Sequence, residues 1–378
     1  MPKKKKKILK KNKINVTKKL LFILPIFLLC IFIIKSLSLP ALAADFILRP
    51  LLGSASTIKL EAIYFTISEA SNKIKYTFYK PSSDVFVSTL KRSSQEKDIN
   101  DDAINLQPLP IQNTSSPLLG EGIWEPVTQK NFPKEIVMAR TFLRPDITKS
   151  YAITALVIMD MKKLSIGTEA GTYYPGGTHG SYGPGIVPQG IQQSDNLIAV
   201  FNGGFQEKDG HYGMIVADKT YVPLRNDLPV LLIFKDGSAS ISAFQDFTQR
   251  KDIAAIRQNG PLLVSQGEIT SYVETTDDTW GRTTTNSIYT WRSGIGITKQ
   301  GNLLYAAGPS LLPRTLAKAL KAAGAVDAMQ LDINPPWVRF ILFSPLGNGQ
   351  YTSTPLLKDM ENGGYSYTHG YNKDFFYL

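Results

Sequence analysis

Residues 303–331 constrain the fold most strongly, because a helical pattern stands there between two strand patterns. Apolar residues recur at helical spacing over residues 313–323, which begin with a proline suited to a first turn, and Gly324 marks the stop. The flanking segments, residues 303–307 and 328–331, are short apolar runs typical of buried strands. This order predicts a βαβ unit with a right-handed crossover.

Upstream of this unit, three turn signals between apolar runs predict antiparallel hairpins. The turns are Asp236-Gly237, Asn259-Gly260 and Gln300-Gly301. We therefore predict the α+β class, with a mixed, mostly antiparallel sheet that contains hairpins and a C-terminal βαβ unit. An N-terminal membrane or signal helix is expected to precede this fold.

The positive charge of the chain is confined to its N-terminus. Residues 1–35 hold eleven of the 42 basic residues and no acid, which leaves 31 basic and 31 acidic residues from Ser36 onward. Because the remainder is formally neutral, it has no basic field that would attract nucleic acid. A nucleic-acid partner is not predicted.

The N-terminal segment has the pattern of an export signal. Clustered lysines precede an apolar run at residues 20–34, and an Ala-Leu-Ala sequence ends at Ala43. An uncleaved membrane anchor is the alternative, since an extension of the run to Ala44 is long enough to span a bilayer. Both readings predict an extracytoplasmic protein, either anchored in the membrane or released as a periplasmic or secreted protein.

Three regions are predicted along the chain. Residues 1–44 form the basic N-terminus with the signal or anchor, and residues 45–123 form a membrane-proximal segment followed by a polar linker. Within the second region, alternating runs up to about residue 79 predict one or two strands, or a small helix-and-strand module. Residues 124–378 form the main domain.

Polar residues at strand ends are the candidates for chemistry. Asp332 follows an apolar run, and Asn202 follows another and precedes Gly203 and Gly204, which allow a ligand to approach the backbone. Arg292 precedes a Ser-Gly strand start and offers a planar set of donors suited to phosphate. Each signal alone is also typical of a turn, a helix cap or a surface residue.

The order of these motifs resembles the phosphodiester glycosidase domain family, over about residues 152–343. The segments that carry the resemblance are FNGGF, RQNGPLLV, WRSGIGIT and AAGAVDAMQLD. The family includes a lysosomal enzyme that removes N-acetylglucosamine from a phosphodiester on mannose, and bacterial proteins associated with exopolysaccharides. The resemblance therefore implies hydrolysis of glycosyl phosphodiesters.

Carried over by position, the resemblance assigns catalytic roles to Asp332, Arg292 and Asn202. The substrate-binding residues predicted beside them are Gly203, Gly204, Asn259, Gly260, Ser293, Asn334 and His211. This chain has Leu-Asp-Ile-Asn-Pro where the family has Leu-Asp-Gly-Gly-Gly-Ser. A glycine turn offers backbone N–H groups to an anion, whereas Pro335 and Pro336 have none. The side-chain amide of Asn334 is the predicted substitute.

In the predicted mechanism, Arg292 and Asn202 hold the phosphate while Asp332 acts as general base or nucleophile at the anomeric carbon. Candidates for a second carboxylate are Glu207, Asp209, Asp277 and Asp278. The three histidines, His179, His211 and His369, have no spacing typical of metal ligands, so neither a metal nor a cofactor is predicted.

Two functions from different classes remain open. One is an exported hydrolase that cleaves a sugar-1-phosphodiester bond in cell-envelope or exopolysaccharide substrates. The alternative is a non-catalytic glycan-binding or polysaccharide-export assembly protein. The predicted partner is a sugar phosphodiester or glycan, together with the membrane if the N-terminal segment is retained. The hydrolase interpretation expects Asn202, Arg292 and Asp332 to surround one cleft.

Overall fold

A computed structural model describes most of the chain after residue 46. The described residues are 47–79, 81–87, 104, 106–177, 180–244, 251–275, 278–281 and 288–378. By contacts the chain divides into two units, residues 1–57 and 58–378. The predicted signal or anchor at residues 1–44 lies outside the described residues.

Four α-helices lie in the described part of the chain. They are α1 (Arg49–Phe78), α2 (Gln189–Gln193), α3 (Pro313–Ala322) and α4 (Gly364–His369). Within these ranges, no helix is both long enough and apolar enough to cross a bilayer. Short 3-10 helices are present at Glu207–Asp209, Ser271–Glu274 and Asp278–Trp280.

The strands predicted before residue 79 are wrong, because this segment is the long helix α1. Its path is kinked at Gly53, which has φ 76°. In the second unit, Glu69 accepts hydrogen bonds from Lys149 and Tyr151, and the Tyr76 ring stacks on Tyr151 with centroids 5.0 Å apart. The short alternating runs did not distinguish a strand from a helix. The helix contacts the rest of its unit at only a few of the positions described, so its sequence has no clear helical period.

Eighteen strands are described, and they form three sheets. In chain order they are β1 (Glu125–Pro126), β2 (Met138–Leu143), β3 (Thr154–Met159), β4 (Gly167–Glu169), β5 (Ala199–Asn202), β6 (Met214–Val216), β7 (Lys219–Val222), β8 (Val230–Phe234), β9 (Ala239–Ser242), β10 (Ile253–Gln258), β11 (Leu262–Ser265), β12 (Glu268–Ile269), β13 (Thr290–Thr298), β14 (Leu303–Leu311), β15 (Ala325–Ile333), β16 (Phe340–Gly347), β17 (Gln350–Pro355) and β18 (Phe375–Tyr377).

The sheets are antiparallel at every pair of adjacent strands described. The eight-stranded sheet has the order β1-β2-β3-β14-β13-β15-β11-β12. The two five-stranded sheets have the orders β7-β6-β10-β8-β9 and β17-β16-β5-β18-β4. The predicted mostly antiparallel α+β architecture is confirmed.

Two of the three predicted hairpins are confirmed. β8 pairs with β9 around Gly237, and β13 pairs with β14 around Gly301, where both glycines have positive φ. The hairpin predicted at Asn259-Gly260 is wrong, because β10 and β11 belong to different sheets. Neither residue has the positive φ that a type I′ turn requires, so the chain crosses between sheets there.

The predicted βαβ unit consists of β14, α3 and β15. Both strands are antiparallel to β13, so they run parallel to each other with β13 between them. The helix begins at Pro313, and Gly324 beyond its end has φ 93°, as the helix-stop pattern predicts. The intervening strand is a feature that the sequence pattern did not predict.

The central strands are buried on both faces, which explains their continuous apolar runs. In β3, Val157 faces a core shared with Phe201 and Leu231 of the five-stranded sheets, whereas Leu156 faces a core shared with Leu316 of α3. This alternation with period two places the helix on one face of the eight-stranded sheet and the other sheets on the opposite face. The ends of β5 and β15 meet inside this arrangement.

Replacement of Gly308 by alanine is predicted to destabilise the fold. The added Cβ would lie 2.2 Å from the backbone oxygen of Ile153, so β14 would have to move away from β3. We expect a loss of about 1–3 kcal/mol in the free energy of unfolding, measured with urea. Gly190→Ala is the control, since a Cβ there meets nothing within 4 Å. Equal stability of the two variants would contradict this account of strand packing.

Candidate active site

The side chain of Asn202 joins two sheets where β5 ends. Its Nδ2 donates to the Ser293 Oγ at 2.9 Å, and its Oδ1 accepts from the Tyr305 hydroxyl at 2.9 Å and from the Arg339 N–H at 3.0 Å. The residue is 3% exposed. Asn202 is therefore a buried hydrogen-bonded connector, and its amide holds Ser293 rather than a group at the surface.

The two glycines after Asn202 bring β5 against β15 and the segment before β18. The Gly203 carbonyl accepts from the Asp332 N–H, and the Gly204 N–H donates to the Asp374 Oδ2, both at 3.0 Å. A Cβ on Gly203 would lie 2.0 Å from the same Asp374 oxygen. A glycine is required at position 203 because a side chain there would push Asp374 away.

The Asp332 carboxyl lies at the end of β15 and is ion-paired. Its Oδ2 accepts a hydrogen bond from the Lys373 ammonium, and its Oδ1 accepts from the Ile333 N–H at 2.9 Å. Burial raises the pKa of Asp332 to about 6, an effect that Lys373 opposes and the charge of Asp374 reinforces. At neutral pH this carboxyl is mostly ionised, yet it still takes up a proton under mildly acidic conditions.

Lys373 is positioned by Thr172 and Tyr174, which lie in a glycine-rich stretch after β4. The N–H groups of Thr172 and Tyr174 donate to the carbonyls of Tyr371 and Asn372, immediately before Lys373. The ammonium then lies 4.4 Å from the centroid of the Trp337 ring, at cation–π distance. This cation is only 3% exposed and faces Asp332 from a different part of the chain.

Asp374 is a second buried carboxylate in the same region. Its Oδ2 accepts from the Arg257 Nε at 2.8 Å. The remaining guanidinium contacts of Arg257 are donated to the carbonyls of Phe205, Tyr212 and Gln258. Arg257 and Asp374 are each 1% exposed, so the pair is rigidly enclosed.

The turn after Asp332 offers no backbone donor to an anion. The N–H groups of Ile333 and Asn334 donate to Asp332 Oδ1 and to the Trp291 carbonyl, and that of Trp337 donates to the Asn334 carbonyl. Pro335 and Pro336 have no N–H. The Asn334 Oδ1 accepts from the Thr290 hydroxyl at 2.6 Å. An anion at this site would have to be held by side chains.

Arg292 lies on the other face of β13 from Ser293. Its guanidinium donates to the carbonyls of Leu311, Trp280 and Ile288 and to the Gln330 Oε1, at 2.8–3.2 Å. It is fully buried, and this burial lowers the pKa of Arg292 to about 9. The Arg292 side chain therefore lies on the face of the eight-stranded sheet that α3 covers. The single cleft expected for Asn202, Arg292 and Asp332 is not formed.

The other predicted substrate-binding residues divide between the site and the surface. Ser293 Oγ donates to the Asp332 carbonyl at 2.7 Å, and Asn259 bridges the Phe205 N–H and the Gln330 carbonyl. Gly260 lies beside the backbone of Thr279, outside these contacts. The side chain of His211 is 71% exposed, and its Nδ1 lies 2.5 Å from a Glu207 oxygen.

Of the candidates for a second carboxylate, the side chains of Glu207 and Asp209 are described. Glu207 pairs with His211, and Asp209 lines a cavity of about 600 Å³ beside Tyr212. The side chain of Asp278 is not described. Asp277 and His179 lie outside the described residues. Over the described ranges, no three histidine, cysteine or acidic residues are grouped to hold a metal ion.

Sequence reasoning missed Arg257, Lys373 and Asp374. Lys373 and Asp374 stand directly before the aromatic strand β18, whereas Asn202 and Asp332 were identified because they follow apolar runs. The signal that could have found them is a pair of opposite charges directly beside an aromatic run. Arg257 lies inside an apolar strand two residues before Asn259, and a buried arginine of this kind predicts a buried acidic partner.

Two buried pairs of acidic and basic residues near the ends of β5 and β15 and the start of β18 form the candidate site. A model of the phosphodiester glycosidase family matches residues 195–332, a stretch that runs from before β5 to Asp332 itself. The predicted resemblance to this family, whose enzymes are hydrolases, is confirmed over these residues. No curated protein matches the chain.

Three solved structures are similar to parts of the chain. The catalytic domain of zebrafish N-acetylglucosamine-1-phosphodiester alpha-N-acetylglucosaminidase, auto-inhibited by its pro-peptide, has 16% identity and a TM-score of 0.44, over 66% of this chain and 86% of its own. A hypothetical protein from Synechocystis has 11% identity and a TM-score of 0.33, with coverage of 64% and 62%. A putative exported protein from Burkholderia pseudomallei K96243 has 8% identity and a TM-score of 0.33, with coverage of 60% and 74%.

Lys373→Met is predicted to destabilise the protein strongly at neutral pH. The variant leaves the Asp332 carboxylate buried without its cation, which typically costs about 3–5 kcal/mol. The loss should shrink towards pH 5, because protonated Asp332 no longer carries an unpaired charge. Chemical unfolding at pH 8 and pH 5 measures both effects.

Lys358→Met is the matched control for this prediction. Lys358 pairs with Asp84 at the surface, where its side chain is 43% exposed, so its loss should cost less than about 1 kcal/mol. If both variants lose similar free energy of unfolding, burial does not make the Asp332–Lys373 pair more important for stability than a surface pair.

Proposed function

We propose that this protein is an exported hydrolase that cleaves glycosyl-1-phosphodiesters, with Asp332 acting at the anomeric carbon and Lys373 binding the phosphate. The observation that carries the proposal is the contact between the Asp332 carboxylate and the Lys373 ammonium, at the end of the matched family segment. A carboxylate is the group that glycoside cleavage needs, and an ammonium is a phosphate ligand.

In the proposed reaction, the bond between C1 of the sugar and the phosphate oxygen breaks, and its electron pair stays on the phosphate. In a single displacement, a water oxygen bonds to C1 and gives a proton to Asp332. In the alternative, Asp332 first bonds to C1, and water then attacks C1, breaks that bond and gives a proton to the released carboxylate. The products are a reducing sugar and a phosphomonoester. Because phosphate is a good leaving group, the positive charge of Lys373 supports its departure without a strong general acid.

Lys373 is proposed as the phosphate ligand because the alternatives are engaged. The turn after Asp332 has no available backbone N–H group, and Arg292 and Arg257 donate to internal carbonyls. Lys373 has a carboxylate and an aromatic face as neighbours, and a phosphate oxygen would take the place of the carboxylate. Binding therefore requires the site to open, since Asp332 is only 5% exposed.

The export and substrate parts of the proposal depend on the sequence. The lysine-rich start, the apolar run at residues 20–34 and the Ala-Leu-Ala sequence support an extracytoplasmic location, anchored or released. Sugar-1-phosphodiesters occur there in envelope and exopolysaccharide-type polymers, which are the proposed substrates. The mature N-terminus, measured by mass spectrometry, distinguishes a cleaved signal from a retained anchor.

A glycan-binding or export-assembly role is the second candidate, and two observations favour it. The cleft that the hydrolase interpretation expects around Asn202, Arg292 and Asp332 is not formed, since Arg292 lies on the other face of β13. Asp332 is closed off by Lys373 and by burial, as in a structural ion pair. This candidate expects sugar phosphodiesters to bind the full-length chain without being cleaved. Calorimetry combined with an assay for released phosphomonoester separates the two functions.

Asp332→Asn is predicted to abolish most of the turnover of a glycosyl-1-phosphodiester by the full-length chain. Loss of a carboxylate that takes the proton or attacks C1 typically lowers kcat by roughly 10²–10⁴-fold. Asp359→Asn, at an exposed aspartate, should leave the rate unchanged. Turnover by the wild type that survives in Asp332→Asn would remove Asp332 from the reaction.

The pH dependence of kcat/KM is predicted to follow the ionisation of Asp332. Activity should rise with pH through an inflection near 6, because the ionised form is required and burial places the pKa there. In Lys373→Met the inflection should move to higher pH, since the lysine lowers the pKa of Asp332. An inflection near 4 in the wild type would contradict a buried catalytic carboxylate.

A further inference from the structure

One oxygen of Asp374 is buried, and none of the residues that the structure describes donates a hydrogen bond to it. The residue is 1% exposed, and its Oδ2 accepts from the Gly204 N–H and the Arg257 Nε. Within the described part of the chain, no group donates to its Oδ1. Because an unsatisfied buried carboxylate oxygen is costly, an oxygen of this kind calls for a functional explanation.

Gly203 connects Asp374 to Asp332, the proposed catalytic residue, through backbone hydrogen bonds. The Gly203 carbonyl accepts from the Asp332 N–H, while the Gly203 N–H donates to the Asp374 carbonyl at 3.0 Å. Lys373, the residue before Asp374, contacts the Asp332 carboxylate directly. The charge of Asp374 also contributes to the raised pKa of Asp332, so the two carboxyls lie within electrostatic reach of each other.

The surroundings of Asp374 fit a fixed acceptor. Its side chain is held by Arg257, which is itself anchored on the carbonyls of Phe205 and Gln258. A carboxylate oxygen is a hydrogen-bond acceptor, so Oδ1 can receive a hydrogen bond from a donor on a ligand. Rigid support of this kind preserves the position of the acceptor when a ligand binds.

We infer that Asp374 Oδ1 accepts a hydrogen bond from the donor on C2 of the sugar, a hydroxyl or an amide N–H, and so selects substrates that carry one. This inference rests on the proposed function. With C1 at Asp332, the C2 substituent is the nearest ring substituent that can carry a donor. Hydrogen bonds to this position strengthen as positive charge develops on the sugar ring in the transition state.

The inference predicts a coupling between a substrate group and a side chain. The probes are methyl glycosyl-1-phosphodiesters of glucose, galactose, mannose and N-acetylglucosamine in both anomers, each with its 2-deoxy counterpart. The full-length wild type and Asp374→Asn are compared by kcat/KM, after subtraction of the uncatalysed rate. Asparagine can keep an oxygen towards Arg257 and Gly204 and then presents a donor where Oδ1 was.

For the parent substrate that the wild type cleaves, Asp374→Asn should lower kcat/KM by roughly 10- to 100-fold, the effect of a hydrogen bond to a charged group. For the 2-deoxy substrate the same substitution should change kcat/KM by less than about threefold, because the bond is already absent. The greater intrinsic reactivity of 2-deoxy sugars cancels in this comparison, because both proteins are tested on both substrates.

Asp160→Asn is the matched control, since Asp160 is fully buried and also has a side-chain oxygen without a hydrogen-bond donor among the described residues. It should alter stability without a difference between the two substrates, and thermal unfolding shows whether each variant is folded. If folded Asp374→Asn loses equal kcat/KM on the parent and the 2-deoxy substrate, the inference is overturned and the proposed function is not. Absence of turnover by the wild type on every parent substrate would overturn the proposed function, and the inference with it.

Discussion

The side-chain amide of Asn202 is the interaction on which the site depends. A single buried group bonds to Ser293 in β13, to Tyr305 in β14 and to the backbone of Arg339 before β16. These bonds fix the end of β5 against the eight-stranded sheet. Because the end of β5 continues directly into Gly203 and Gly204, the positions of Asp332 and Asp374 follow from them. The amide therefore determines where two carboxylates lie.

The parts of the fold that the sequence predicted are those specified by local chemistry. Glycines at positions 237, 301 and 324 adopt the positive φ that their turn or helix-stop patterns require, and the segments on either side follow. The βαβ unit was recognisable for the same reason, since its helix and strands each carry their own periodicity. In contrast, α1 was misread because its few anchoring contacts leave no clear period in the sequence.

The errors in the site have a common physical origin in long-range contacts. Arg292 resembles a phosphate ligand by composition, but its direction depends on which face of β13 it occupies, and that face meets α3 and the Trp280 carbonyl. Lys373 and Asp374 reach the site only because β18 pairs with β5, a contact across about 170 residues of chain. No pattern of neighbouring residues specifies such a pairing, so the sequence predicted Asp332 correctly as a strand-end carboxylate and missed its partners.

In the proposed reaction, the ion pair between Asp332 and Lys373 would make substrate binding and the activation of Asp332 a single event. One ammonium cannot neutralise two anions fully, so a phosphate oxygen that draws Lys373 towards itself withdraws positive charge from Asp332. The carboxylate then has a higher affinity for a proton than it had in the unliganded protein. Asp332 would thus become a stronger base only after a phosphate has bound, and it would remain a weak base in the unliganded protein.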